Sequence, residues 1–146
     1  MSTMDQPIDA TRNELDLPSS LDRLPRVEKF IDEACETFDI EEDFYGNILI
    51  AVTEAVNNAI QHGNQEDPDR TFTVSFEANE ELQKLTFRVE DAGEGFDHEN
   101  VPDPTAPENL EKPFGRGIFL MRNLADEVEF YDEGRVVELT FGMQKG

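Results

Sequence analysis

A glutamate and an asparagine four residues apart are the first residues in this sequence whose types and spacing could do chemistry. Glu54 and Asn58 lie in a stretch with apolar residues at helical spacing, so both side chains are expected on one helix face, one turn apart. The amide oxygen of Asn58 is a hard ligand that suits a magnesium ion also holding phosphate oxygens. Glu54 could accept a proton from an attacking water or hydroxyl group, or hold a water in place. An isolated pair of this kind is also commonplace on a solvated helix face, so other residues must decide.

An aspartate at the end of an apolar strand pattern is the second candidate. Asp91 precedes Gly93 and Gly95, whose lack of a Cβ lets the backbone approach a flat ligand closely. A buried carboxylate at Asp91 could accept a hydrogen bond from an exocyclic amino group, which would select adenine over guanine. Taken alone, the segment is also an ordinary acidic turn.

Two glycines before a third helix are the last part of the pattern. Gly115, Arg116 and Gly117 are predicted to open a helix from Ile118 to about Leu124, so that its first N–H groups and its dipole face an anion. Arg116 could reach a terminal phosphate. A plain flexible loop is the alternative. The pattern is neither a Rossmann fingerprint nor a Walker-type phosphate loop.

The net charge is the outlying feature of the composition. The 146 residues suit one domain, and they carry a formal charge of −22. Such a surface repels phosphate backbones and argues against direct nucleic-acid binding. Two explanations stay open: solubility or a basic protein partner, and adaptation to high salt, where self-repulsion is screened.

Cysteine use and apolar runs bear on location. Cys35 is the only cysteine, which excludes an intramolecular disulfide and the usual zinc sites, and its place on an apolar helix face predicts burial. No apolar run approaches the roughly 20 residues that span a bilayer. The polar, acidic segment 1–17 lacks the regions of an export signal. A cytoplasmic protein is the simplest interpretation.

The hydrophobic periodicity predicts an α+β two-layer sandwich, with helices on one face of a mixed, mostly antiparallel sheet. Ser19, with Asp22 three residues on, is the expected start of the first helix, and Gly63-Asn64 is the expected end of the second. The predicted elements are a strand at 12–17, helices to about 37 and at 41–62, strands around 72–76 and 85–89, a helix at 118–124, and strands at 127–131 and 136–141.

In this order the motifs resemble the ATP-binding domain shared by gyrase, ninety-kilodalton heat-shock chaperones, histidine kinases and MutL. Within that superfamily the sequence looks like the anti-sigma-factor serine/threonine kinases of the RsbW type. The resemblance covers about 15–141 and is carried by three segments: Val52-Thr53-Glu54-Ala55-Val56-Asn57-Asn58-Ala59-Ile60, Asp91-Ala92-Gly93-Glu94-Gly95-Phe96-Asp97 and Phe114-Gly115-Arg116-Gly117-Ile118-Phe119-Leu120-Met121.

The resemblance implies a Bergerat fold, that of histidine kinase-like ATPases, at 12–143, after a flexible N-terminus at 1–11 and with a lid at about 98–113. It implies ATP and Mg²⁺ as cofactors, a sigma factor and a STAS-type anti-sigma-factor antagonist as partners, and a homodimer. The residue roles that it implies are a catalytic base at Glu54, a magnesium ligand at Asn58, adenine binding at Asp91, pocket shaping at Gly93 and Gly95, and phosphate binding at Gly115, Arg116 and Gly117. Arg135 departs from the family, where many members carry a small polar residue, and leaves one wall of the pocket open to question.

Three functions are therefore weighed. The first is a kinase that also binds a sigma factor. The second is an ATP-gated binding module without chemistry, against which the Glu54–Asn58 pair argues, since a pure binder has no use for a base beside the metal. The third is the catalytic part of a histidine kinase, which would need an upstream phosphoacceptor helix pair, whereas no histidine precedes the second helix.

Overall fold

The computed structural model describes residues 12–64, 67–79, 81–92 and 113–142. They form three α-helices and five strands, with a short 3-10 turn before the first helix and another between the last two strands. In chain order the elements are β1 (Arg12–Pro18), α1 (Leu24–Thr37), α2 (Glu42–Asn58), β2 (Thr71–Asn79), β3 (Lys84–Glu90), α3 (Pro113–Leu124), β4 (Glu127–Tyr131) and β5 (Val136–Gly142).

The five described strands form one sheet in the order β1-β2-β3-β5-β4. All four pairings between them are antiparallel, so the described part of the sheet contains no parallel pair of the mixed sheet expected from the sequence. The α+β class itself is confirmed. Among the described helices none is long and apolar enough to cross a membrane.

Alternation along the strands determines which face of the sheet is covered. The register aligns Val74 with Val89 and Val89 with Val137, and all three side chains are buried. In the next row Phe76 faces Phe87, and their rings lie 5.8 Å apart between centroids. Because side chains alternate with period two, the other face carries the polar residues of each strand. The helices therefore pack on one side only.

Helix α1 does not start as the sequence suggested. Ser19 is fully buried, and its backbone N–H donates to the carbonyl of Arg70 (3.0 Å) rather than capping a helix. Ser20 takes the N-cap position of a 3-10 turn, and its hydroxyl donates to Asp22 (2.5 Å). Cys35 lies on the buried face as predicted, and burial raises the pKa of its thiol to about 12.

Helix α2 ends in a wider turn. The α-helix ends at Asn58, four residues before the predicted end, and the chain continues as a π-turn over Ala59–Gly63. The backbone N–H of Asn64 donates to the carbonyl of Ala59 (2.8 Å), five residues back. Turns of this kind are rare and recur at functional sites.

Helix α3 starts earlier than predicted. It begins at Pro113, so Gly115 and Gly117 lie inside the helix and not in a loop before it. Proline suits the first helical position because its fixed φ is already helical and its missing N–H has no partner there anyway. The sequence interpretation gave the glycines too much weight as helix breakers.

Candidate nucleotide site

Glu54 and Asn58 meet helix α3 at a glycine. Both side chains are half-buried on α2, and a Cβ added to Gly117 would lie 3.0 Å from Oε2 of Glu54 and 3.3 Å from Nδ2 of Asn58. Helices α2 and α3 pack against each other along this line. The predicted base, the predicted metal ligand and one of the predicted phosphate-loop glycines are thus brought together.

A pocket lies between α2, the sheet and α3. Its apolar walls come from all three, with Ala55 and Ala59 on the helical side, Val89 and Val137 on the sheet and Met121 on α3. Apolar walls with a few polar groups are typical of sites for small organic ligands. Its polar side chains are Asn58, Asp91 and Arg135.

Asp91 is fixed at the end of β3. Its backbone N–H donates to the carbonyl of Arg135 (2.9 Å), which continues the β3–β5 pairing by one residue beyond Glu90 and Val136. The half-buried side chain lies against Gly63, where an added Cβ would be less than 3.0 Å from both carboxylate oxygens. The π-turn therefore presents bare backbone to the predicted adenine-binding residue.

Sequence reasoning treated Gly63 and Asn64 only as a helix-end signal. Asn64 is fully buried, and its amide oxygen accepts the backbone N–H of Ala92 (2.9 Å), the residue after Asp91. No local pattern could have shown this, because the partner lies 28 residues away. Only the packing of the π-turn against the end of β3 reveals both residues.

Arg135, the departure from the family pattern, lies in the pocket wall. Its guanidinium donates to the carboxylate of Asp132 (2.7 Å) and to the carbonyl of the same residue (3.2 Å). Asp132 and Gly134 both have positive φ, which turns the chain sharply between β4 and β5. The pocket thus has a donor-only group on this wall.

Four predicted site residues are less completely described. Gly93 and Gly95, with 98–112 of the expected lid, lie outside the described residues. Gly115 and Arg116 lie in the first turn of α3, and the position of the Arg116 side chain is likewise outside them. Their roles stay predictions.

The donor set fits a magnesium ion bound mainly through nucleotide phosphates. Within the described residues there is no group of three or more histidine, cysteine, aspartate or glutamate side chains that could hold a metal by itself. Mg²⁺ keeps several waters and commonly uses one or two protein oxygens together with substrate phosphates. Asn58 offers one such oxygen, and it faces Gly117, where an added Cβ would lie 3.4 Å from it.

A family model described as the histidine kinase-like ATPase domain matches residues 17–141 of the 146. The chain belongs to the histidine kinase-like ATPase domain family. Membership in this family implies the use of ATP.

Relatives with known names agree with the resemblance drawn from the motifs. The chain is 34% identical over 101 residues to the serine-protein kinase RsbW of Listeria innocua, covering 64% of this chain and 63% of the relative. It is 35% identical over 107 residues to the serine-protein kinase RsbW of Staphylococcus aureus, covering 68% and 64%. The chain thus spans just under two thirds of the length of these relatives.

A solved structure supports the fold independently. The chain superimposes with a TM-score of 0.67 on a crystal structure of the RsbU and RsbW domains of a Mycobacterium tuberculosis protein, covering 92% of this chain and 33% of that one. The sequence identity is 15%, so this likeness concerns the fold alone.

Proposed function

We propose that this protein binds ATP with Mg²⁺ and is a serine/threonine kinase that acts as an anti-sigma factor. In this proposal it phosphorylates a STAS-type anti-sigma-factor antagonist and sequesters a sigma factor. The observation that carries the proposal is the meeting of Glu54 and Asn58 at Gly117, beside a pocket that also contains Asp91. The similarity to serine-protein kinase RsbW over about two thirds of the chain supports it.

The adenine end of the site depends on Asp91. The base would lie between the apolar walls, and its exocyclic amino group would donate to the Asp91 carboxylate. Guanine has a carbonyl oxygen at that position, which would face the carboxylate without a hydrogen between them. The amino group therefore gives the pocket its preference for adenine.

The phosphate end lies toward α3. The first turn of this 12-residue helix has backbone N–H groups without partners inside the helix, and the helix dipole adds positive potential there. Mg²⁺, held by Asn58 and the phosphates, would neutralise part of the charge that builds up during transfer. The terminal phosphate would then lie on the Glu54 side of the pocket.

Glu54 is the proposed base in the transfer step. It takes the proton of a serine or threonine hydroxyl as that oxygen bonds to the γ-phosphorus, while the bond from the same phosphorus to the β–γ bridging oxygen breaks. The bridging oxygen leaves with its electron pair as part of ADP. The proton remains on Glu54 until it passes to water after the phosphorylated protein has dissociated.

The test separates binding from chemistry. Glu54→Ala should lower transfer of radiolabelled phosphate to a STAS-domain protein from the same genome by at least about 100-fold, while the Kd for ATP changes by less than about threefold. Glu42→Ala, the same substitution twelve residues earlier in α2 at an exposed position, should leave both unchanged. Transfer by Glu54→Ala at the wild-type rate would remove the proposed base.

The binding module without chemistry is distinguished in the same experiment. If the wild-type protein binds ATP and its partner but transfers no phosphate to any STAS protein of that genome, the kinase proposal is wrong. ATP-dependent retention of a sigma factor on the immobilised protein would then be the remaining function.

A further inference from the structure

Asn64 is a fully buried amide whose hydrogen-bonding groups are all used. Its Nδ2 donates to the hydroxyl of Ser19 (2.7 Å) and to the carbonyl of Thr71 (3.1 Å), and its Oδ1 accepts from the backbone N–H of Ala92 (2.9 Å). Its own backbone N–H closes the π-turn on Ala59. The side chain thus joins the π-turn to three other parts of the chain.

The bond to Ala92 differs from the others because of where Ala92 lies. The N–H of Asp91 is held by Arg135 on β5, and the very next N–H, that of Ala92, is held by Asn64 on the π-turn. Two consecutive peptide groups are therefore anchored to two different elements. Because this fixes the backbone on both sides of the Asp91 Cα, it also fixes the direction of the Cα–Cβ bond from which the carboxylate extends.

We propose that Asn64 is a positioning residue of the nucleotide site, which sets the orientation of Asp91 toward the amino group of adenine through the backbone of Ala92. This inference depends on the proposed ATP binding and adds to it the residue that maintains the base specificity. Asn64 does not itself touch the nucleotide. Its contribution is to keep the Asp91 carboxylate directed toward the base, so that the carboxylate does not turn away.

Ser19 provides the matched control. Ser19→Ala removes the bond from Asn64 to the serine hydroxyl within the same buried network, but leaves the bond from Asn64 to Ala92 intact. Asn64→Ala removes both, together with the bond to the carbonyl of Thr71. Both variants therefore disturb the buried network, whereas the support of Asp91 is lost in only one.

The measurement is the ratio of ITP to ATP dissociation constants, obtained by calorimetry well below each variant's Tm. ITP lacks the amino group that Asp91 would read, so the wild-type protein and Ser19→Ala should prefer ATP by about tenfold or more. Asn64→Ala should reduce this preference to within about threefold, mainly through weaker ATP binding. A purely structural role would weaken both nucleotides equally and leave the ratio unchanged, which would overturn the inference.

The proposed function fails in a different way. A wild-type protein that does not bind ATP, or that binds ATP and ITP equally, contradicts the assignment of Asp91 itself. A wild-type preference that persists in Asn64→Ala contradicts only the role of Asn64.

Amide hydrogen exchange on the wild-type protein gives a second reading that needs no variant, should Asn64→Ala not fold. A backbone N–H bonded to a buried side chain exchanges slowly, so the Ala92 amide should exchange at least about tenfold more slowly than an unstructured peptide. Exchange at the unstructured rate would show that Asn64 does not hold this backbone, and would overturn the inference.

Discussion

At the scale of single residues, the contact between Gly63 and Asp91 leaves less room for an added Cβ than the contact of Gly117 with Glu54 and Asn58. Any side chain at position 63 would overlap the carboxylate, yet the clash would be with the end of a side chain that can rotate. Gly63→Ala should therefore cost less than about 1 kcal/mol of folding stability, but turn Asp91 out of the pocket. We expect the Kd for ATP to rise about tenfold or more, measured by calorimetry.

A double-mutant cycle isolates this effect. If Gly63→Ala acts through the carboxylate, it should weaken ATP binding little further in an Asp91→Ala background. Equal losses in both backgrounds would mean that Gly63 acts on the pocket by another route.

At the scale of elements, the packing of α2 on α3 makes Gly117 important for two reasons: its low helix propensity and its contact with the proposed catalytic side chains. Gly117→Ala replaces a poor helix former with the best one, a gain of about 0.5–1 kcal/mol in a helix interior. The added Cβ would, however, press on Glu54 and Asn58 at 3.0 to 3.4 Å. We expect little net change in Tm together with a clear loss of phosphoryl transfer.

Gly46 is the control for that substitution. It lies in α2, and a Cβ added there meets nothing within 4 Å. Gly46→Ala should therefore raise the free energy of unfolding by the full propensity term, about 0.5–1 kcal/mol, and leave transfer unchanged. If Gly117→Ala behaves like Gly46→Ala in both measurements, the contact between α3 and the predicted base has no catalytic consequence.

The elements also differ in how far the sequence could predict them. Strands β4 and β5 were placed within a residue because alternation and a turn at Asp132-Glu133-Gly134 are local signals. The π-turn was not predicted, because the contacts that accompany it, those of Gly63 and Asn64 with Asp91 and Ala92, are distant in sequence. The same reason explains which site residues could be predicted. Glu54, Asn58 and Asp91 lie in recognisable local sequence patterns, whereas Gly63 and Asn64 acquire their roles only through partners distant in sequence.

At the scale of the whole molecule, the charge of −22 is distributed over a surface with few cations to balance it. Strand register makes part of the repulsion specific. Glu129 and Glu138 are direct neighbours across β4 and β5, and Glu138 forms an ion pair with Arg88 at 3.0 Å. Like charges directly opposite on a sheet destabilise it. The ion pairs found among the described residues join largely exposed side chains, and such pairs contribute little.

This charge predicts a stability that increases with salt. The Debye length falls from about 10 Å at 0.1 M to about 3 Å at 1 M, so molar KCl removes most of the repulsion between surface carboxylates. The loss of weak exposed ion pairs is smaller than this gain. We expect Tm, followed by circular dichroism, to rise by several degrees between about 0.05 and 2 M KCl, since about 1 kcal/mol corresponds to a few degrees for a domain of this size.

Glu129→Gln shows whether the rise comes from screened repulsion or from a general effect of concentrated salt. Neutralising one member of the facing pair should raise Tm at low salt. At about 2 M KCl it should make no difference, because the repulsion in the wild-type protein is already screened. A gain that is equal at both salt concentrations would point to a local change in packing instead. A wild-type Tm that stays flat or falls with KCl would rule out adaptation to high salt and leave solubility or a basic partner as the reason for the acidic surface.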